Sequence, residues 1–180
     1  MTTILKLQKA GGIYLGKFFP KQAHSLYVDL RPIVSFPALL KEISEEIWAV
    51  AKNYSFDLMC GVPYGAFAIA TSISITHEVP MLFRRKEAKN RGLERMVEGN
   101  FKPGMRCIVI EDVVSTGKSV LETIYDLRSA GLIVTDVITW LNREQGGREN
   151  LAAENLTLSS VYTLANLSRI VKEPLIHSDC

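Results

Sequence analysis

The hydrophobic pattern of the first half of the chain alternates between two spacings. Segment 37–55 carries apolar residues at helical spacing, and the short apolar run 56–62, bounded by Pro63, predicts a buried strand. Segment 64–77 is again helix-like, and 79–83 predicts a second strand. The first half therefore alternates between helix and strand.

The second half repeats this alternation around a strongly apolar strand at 106–114. A helix is predicted over 117–130, with Gly131 as its stop. Segments 133–141 and 158–164 predict two more strands, and a short helix follows the second. Strands that alternate with helices indicate an α/β fold, with a parallel sheet covered on both faces. Ligands of such sheets bind beyond the carboxyl ends of the strands.

The most informative motif is Ile-Val-Ile-Glu-Asp-Val-Val-Ser-Thr-Gly-Lys-Ser at 108–119, where an apolar strand runs into two carboxylates and then a helix start. The backbone N–H groups of 115–119 and the helix dipole favour a phosphate monoester there. Gly117 permits close backbone approach. Glu111 and Asp112 would repel a phosphate, so vicinal sugar hydroxyls are their expected partners. The motif therefore predicts a site for a sugar 5-phosphate.

Two other interpretations of this motif explain less. Thr-Gly-Lys-Ser is similar to the end of a nucleotide P-loop, but Asp112 stands where that motif needs glycine. An ordinary strand–turn–helix, with Ser115 as the helix cap, accounts for one hydroxyl but not for two adjacent acids.

A basic segment at 84–95 contains six basic and two acidic residues without helical or strand periodicity. A solvated face is the common explanation of such a run. Nucleic-acid binding is not expected, since aromatic residues are not interleaved and the net charge is only +2. The segment could instead close over a pyrophosphate leaving group, where cations would stabilise the developing charge.

Motif 108–119 resembles the phosphoribosyl-pyrophosphate (PRPP) signature of type I phosphoribosyltransferases, and segment 85–92 resembles the catalytic loop of orotate phosphoribosyltransferases. Segments 60–66, 141–147 and 25–31 resemble the pyrophosphate loop, the base-binding segment and an N-terminal segment of the same family. The resemblance implies a parallel-sheet type I phosphoribosyltransferase core (37–165) under a small N-terminal hood (1–36), as one domain over 1–180. It also implies that orotate and PRPP give orotidine 5′-monophosphate and pyrophosphate.

The resemblance also implies roles for particular residues. The implied catalytic residues are Arg85, Lys86, Lys89, Glu111 and Asp112. Those implied to bind PRPP are Tyr64, Gly65, Arg91, Val113, Val114, Ser115, Thr116, Gly117, Lys118 and Ser119. Those implied to bind orotate are Tyr27, Val28, Lys21, Ser115 and Arg143, with Lys17 as the alternative to Lys21. Mg²⁺ is expected to arrive with PRPP rather than in a protein-only site. A homodimer is implied, with loop 84–99 shared across its interface.

Four positions depart from the family pattern. Arg91 stands where His or Tyr is usual, and an arginine cannot act as a general acid near neutral pH. Gly65 replaces a lysine of many bacterial members, Phe19 stands where a lysine is usual, and Asn142 replaces an aspartate. Phe19, Arg91 and Asn142 leave open a phosphoribosyltransferase for another base. A non-catalytic PRPP-binding regulator is a second alternative, since the fold is used in that way in some families.

Composition adds the expected cellular setting. The three cysteines are not arranged as a metal motif, and two of them lie in predicted strands, which favours buried reduced thiols. The N-terminus lacks an apolar signal core, and no apolar run is long enough to span a bilayer. A cytoplasmic protein with no membrane partner is expected.

Overall fold

Helices and strands alternate along the chain in the computed structural model, which describes residues 2–16, 25–85 and 96–172. The helices are α1 (Thr3–Lys9), α2 (Pro37–Ala51), α3 (Gly65–His77), α4 (Lys118–Ser129), α5 (Gly147–Ala152) and α6 (Leu164–Lys172), with a 3-10 helix at Arg31–Ser35. The strands are β1 (Ile13–Gly16), β2 (Ser25–Val28), β3 (Leu58–Gly61), β4 (Met81–Arg84), β5 (Val97–Glu98), β6 (Cys107–Val114), β7 (Asp136–Asn142) and β8 (Thr157–Thr163).

The central sheet has six strands in the order β5-β4-β3-β6-β7-β8. All neighbours are parallel except β4 and β5, which are antiparallel. The register pairs Gly61 with Ile110 and Val114 with Asn142. The carboxyl ends of β3, β6 and β7 therefore open at one edge of the sheet, where the sequence predicts the ligand to bind.

Two hydrophobic clusters cover the two faces of this sheet. One contains residues of α2 and α3 together with the fully buried Trp140 of β7. The other contains residues of α4, with Leu151 of α5. Ile108 and Ile110 belong to the first cluster, while Cys107 and Val109 belong to the second. This alternation along β6 follows from the two-residue period of a strand. The predicted α/β fold with both faces covered is confirmed.

The N-terminal elements pack on the α2 side of the molecule. β1 and β2 form a separate antiparallel pair. Leu7 of α1 and Ile33 of the 3-10 helix are buried in the same cluster as α2 and α3. Packing against the core thus fixes the position of β2 and the residues that follow it.

The sequence analysis predicted neither the N-terminal elements α1, β1, β2 and the 3-10 helix nor the short elements β5 and α5. The two-residue strand β5 lies inside the segment predicted as a loop. Helix α5 begins at Gly147, where the sequence was interpreted only as a base-binding turn. Both are too short to show a period. Among the described helices, none is long and apolar enough to cross a membrane.

Candidate active site

The phosphate turn follows β6. Gly117 adopts a left-handed conformation (φ 79°), and α4 begins at the next residue. The turn and the first residues of α4 border an open cleft of about 340 Å³. Its lining is Val113, Ser115, Thr116, Gly117, Lys118, Ser119 and Glu122. The residues of this motif that were predicted to bind PRPP thus border the cleft where α4 directs its first N–H groups, except Val114, whose side chain is buried in the core.

Helix α5 supports the phosphate turn from below. The side-chain amide of Asn150 donates a hydrogen bond to the carbonyl of Thr116 (3.0 Å). Gly147 packs so closely that a Cβ atom there would lie 2.6 Å from the carbonyl oxygen of Ser115 and 2.6 Å from a methyl of Val114. Sequence reasoning missed both contacts, although the Gly-Gly pair at 146–147 was the available signal.

The two acids at the end of β6 are held differently. Glu111 is 6% exposed, and its Oε1 accepts a hydrogen bond from the hydroxyl of Ser119 (3.1 Å). Asp112 accepts one from the backbone N–H of Val113 (2.8 Å). Burial raises the pKa of Glu111 well above its usual range, and it also raises the pKa of Asp112. Such acids are costly to ionise unless a partner supplies donors, as the hydroxyls of a sugar would.

The turn after β3 lies directly against this acidic pair. Tyr64 is 64% exposed, and the Pro63–Tyr64 peptide is cis. A Cβ atom at Gly65 would lie 2.2 Å from Oδ2 of Asp112. The absence of a side chain at position 65 therefore leaves room for the Asp112 carboxylate as it is placed here.

Arg143 and Tyr27 meet next to the end of β6. Arg143 follows β7, and its backbone N–H donates to the carbonyl of Val114 (2.8 Å). Its guanidinium carbon lies 6.0 Å from the centre of the Tyr27 ring. Its Nε is buried without a hydrogen-bond partner among the described residues. This arrangement offers a cation and an aromatic face to a planar anion.

The remaining predicted base contacts are placed less directly. The side chain of Val28 is 5% exposed and belongs to the hydrophobic core. Asn142 is buried, and its carbonyl oxygen accepts a hydrogen bond from the backbone N–H of Glu144 (2.9 Å), which shapes the turn. Lys21 and Phe19 lie outside the described residues.

Of the basic segment, the structure describes only its first two residues, Arg84 and Arg85, which form its root. Arg85 donates its backbone N–H to Met96 (2.8 Å), and its side chain contacts Glu98 (3.2 Å). Lys86, Lys89 and Arg91 lie outside the described residues.

Sequence reasoning missed an ion pair in the segment that follows β2. Asp29 accepts two hydrogen bonds of 2.7 Å from the guanidinium of Arg31, which lower the pKa of Asp29. The two charges act in opposite directions on the pKa of Asp112, which Asp29 raises and Arg31 lowers. The Asp-Leu-Arg sequence at 29–31 was the available signal, because an aspartate and an arginine two residues apart can form a bidentate ion pair.

No group of three or more His, Cys, Asp or Glu side chains within 2–16, 25–85 and 96–172 could hold a metal ion. The nearby acids that do occur, Glu111 and Asp112, suit the hydroxyls of a sugar, or a cation that a phosphorylated sugar carries with it.

Comparison with known proteins assigns the family. A sequence model of the phosphoribosyl transferase domain matches residues 33–155. The chain is 46% identical to bovine uridine 5′-monophosphate synthase over 88% of its own length, but spans only 34% of that protein. It is 39% identical to the orotate phosphoribosyltransferase of Chlamydia felis over 91% of its length and 82% of that protein.

A solved structure agrees with the sequence matches. The orotate phosphoribosyltransferase of Aeropyrum pernix superposes with a TM-score of 0.79, at 25% identity, over 94% of this chain and 99% of that one. The predicted resemblance is thereby confirmed. With its parallel sheet, its phosphate turn after β6 and these relatives, the chain belongs to the phosphoribosyltransferase family, and within it to the orotate phosphoribosyltransferases.

Proposed function

We propose that the chain transfers the phosphoribosyl group of PRPP to orotate, giving orotidine 5′-monophosphate and pyrophosphate in pyrimidine biosynthesis. The observation that carries the proposal is the position of Arg143, whose Nε is buried without a partner among the described residues, beside Tyr27. A buried donor left unsatisfied is costly, so the site favours an anion there. The carboxylate of orotate matches the planar fork of a guanidinium.

The phosphate turn and the acids would together hold PRPP. The N–H groups at 115–119 would bind the 5-phosphate, and Glu111 and Asp112 would accept hydrogen bonds from the ribose hydroxyls. Holding both ends of the sugar would fix the anomeric carbon relative to the base beside Arg143. As the bond to pyrophosphate breaks and the bond to the base nitrogen forms, positive charge develops on the ribose. The two carboxylates would stabilise that charge.

The turn at Tyr64 and Gly65 and the basic segment would bind the leaving group. The backbone of the turn lies against Asp112, which brings it next to the expected ribose position. Arg85 is the second residue of the basic segment, and with Lys86, Lys89 and Arg91 it would neutralise the departing pyrophosphate. Glu111 and Asp112 would face a Mg²⁺ that PRPP brings with it, and that ion would supply positive charge to the departing pyrophosphate.

A homodimer would bring this basic segment to a neighbouring site. Tyr64, Phe67 and Phe83 form a row of edge-to-face rings, 6.0 and 6.1 Å apart, and the outer two are 64% and 46% exposed. A row of exposed aromatic rings is typical of an interface. The row runs from Tyr64, in the turn after β3, to Phe83, next to the start of the basic segment. A second copy would have to dock there for the segment to be shared.

A reducing compartment such as the cytoplasm suits the two described cysteines. Cys60 and Cys107 are buried free thiols, and burial raises the pKa of Cys60 to about 12. The N-terminal residues 1–36 are proposed to act as a hood that carries Tyr27 over the base, within one domain that includes the core at 37–165.

Replacing Arg143 by lysine tests the assignment of the base. Lysine keeps the charge but loses the fork, so we expect KM for orotate to rise by about tenfold or more, with KM for PRPP unchanged. Arg148→Lys is the matched control, because Arg148 is exposed on α5. An unchanged KM for orotate in Arg143→Lys, or equal turnover with adenine or uracil as the acceptor, would contradict the proposal.

A further inference from the structure

An ion pair joins the root of the basic segment to the helix that carries the phosphate turn. Nε of Arg84, at the end of β4, lies 2.6 Å from Oδ2 of Asp126, near the end of α4. Their side chains are only 14% and 27% exposed, so water and salt screen this pair less than a surface pair. Asp126 lies eight residues, or about 12 Å, along α4 from Lys118 at the phosphate turn.

The alternation along β4 separates two adjacent arginines. Leu82 is buried in the cluster formed with α4, and Arg84 follows it on the same face. Phe83 lies on the opposite face, where its ring contacts Phe67 of α3. Arg85 follows Phe83 on that face. Arg84 is thus directed to α4, and Arg85 lies on the face of β4 that is nearer to the turn after β3.

The pairing of β4 with β3 ends at Phe83, and beyond it, within the described part of the chain, the backbone holds Arg84 and Arg85 only through β5. β5 has two residues, paired as Phe83 with Glu98 and Arg84 with Val97. One further backbone hydrogen bond, from Arg85 to the carbonyl of Met96 (2.8 Å), extends the pairing. A pairing this short frays easily, so a side-chain bond to the rigid α4 contributes much of the root's position.

We propose that Arg84 and Asp126 are positioning residues, which fix the end of β4 against α4 and so set where Arg85 presents its guanidinium to the neighbouring site of the proposed homodimer. The inference rests on the proposed function, because it needs Arg85 to act on the leaving group. Neither residue of the pair need touch a substrate. Loss of the pair lowers the rate of the chemical step, and it leaves the binding of orotate at Arg143 unchanged.

A double-mutant cycle on kcat tests the inference in the full chain. Arg84→Gln and Asp126→Asn are each expected to lower kcat by about tenfold with KM for orotate unchanged, and the double variant to be no slower than the single variants. Asp126→Glu keeps the charge and is expected to retain most of the activity. A merely structural pair would lower the melting temperature without this kcat pattern.

The Lys6–Glu42 ion pair supplies the control. It joins α1 to α2, and its side chains are also partly exposed (33% and 36%). Glu42→Gln is expected to leave kcat unchanged. Wild-type kcat in Asp126→Asn, additive losses in the double variant, or an equal loss in Asp126→Glu would overturn the inference while the proposed function stands. If Asp126→Asn does not fold, Arg84→Gln alone tests the inference, by whether its kcat falls while its KM for orotate stays unchanged. A wild-type chain without orotate turnover would overturn the proposed function, and this inference with it.

Discussion

Gly147→Ala tests whether helix α5 sets the position of the phosphate turn. The added Cβ would lie 2.6 Å from the carbonyl oxygen of Ser115 and 2.6 Å from a methyl of Val114. Ordinary contacts need about 3.5 Å, so one side must move by about 0.9 Å. The backbone at 147 is one that alanine adopts without strain, because its φ is not positive. The effect is therefore purely one of space.

The size of the effect follows from where the strain goes. Overpacking of this kind costs roughly 1–3 kcal/mol of stability. If the phosphate turn gives way, a displacement approaching 1 Å can lower the rate by about 100-fold. We expect kcat/KM for PRPP to fall by about 10- to 100-fold in steady-state kinetics, mostly through a higher KM for PRPP.

Gly104→Ala separates damage to the site from general destabilisation. Gly104 has a φ of 87° and no atom within 4 Å of an added Cβ. Alanine there costs roughly 1–2 kcal/mol through backbone strain alone. The control is expected to melt earlier but to bind PRPP normally. A normal KM for PRPP in Gly147→Ala, or the same kinetic loss in Gly104→Ala, would refute the reasoning.

Three further predictions concern the acids and the interface. Burial raises the pKa of Asp112, so the free energy of unfolding without substrate should fall as pH rises from about 4 through that raised value. Asp112→Asn should therefore melt at a higher temperature than the wild type at neutral pH, although it loses turnover; an unchanged melting temperature contradicts this. Glu111 and Asp112 must be ionised to accept hydrogen bonds from sugar hydroxyls. The pH profile of kcat/KM for PRPP should therefore fall towards acid with its midpoint above about pH 4.5, and a midpoint at the pH of an ordinary carboxyl group would contradict this. Mixing the Arg85→Ala and Asp112→Asn variants should restore up to about a quarter of the wild-type activity, because sites are shared between subunits, and no restoration counts against shared sites. The Phe83→Ser variant should elute later than the wild type on gel filtration, and an unshifted elution counts against the dimer.

The sequence predicts the part of the site that is local in the chain. Motif 108–119 contains strand, acids, turn and helix start in order, so its chemistry could be inferred without a tertiary structure. The meeting of Arg143 and the phosphate turn was also predictable, because parallel strands end at one edge of the sheet.

Other contacts depend on packing that no local pattern encodes. The approach of Gly147 to Ser115 and the bond from Asn150 to Thr116 arise where α5 meets the turn after β6, and α5 is too short to show a period. The pairing of Arg84 with Asp126 joins residues 42 positions apart. In the sequence, Arg84 was simply one more cation of the basic segment.

Orotate consumption tests the central claim most directly. It is followed by ultraviolet absorbance with PRPP and Mg²⁺, in the wild type and in Asp112→Asn. We expect turnover in the wild type that is abolished in Asp112→Asn, because the buried carboxylate is needed to hold the ribose. A wild-type chain that binds PRPP by calorimetry but consumes no orotate would contradict the account.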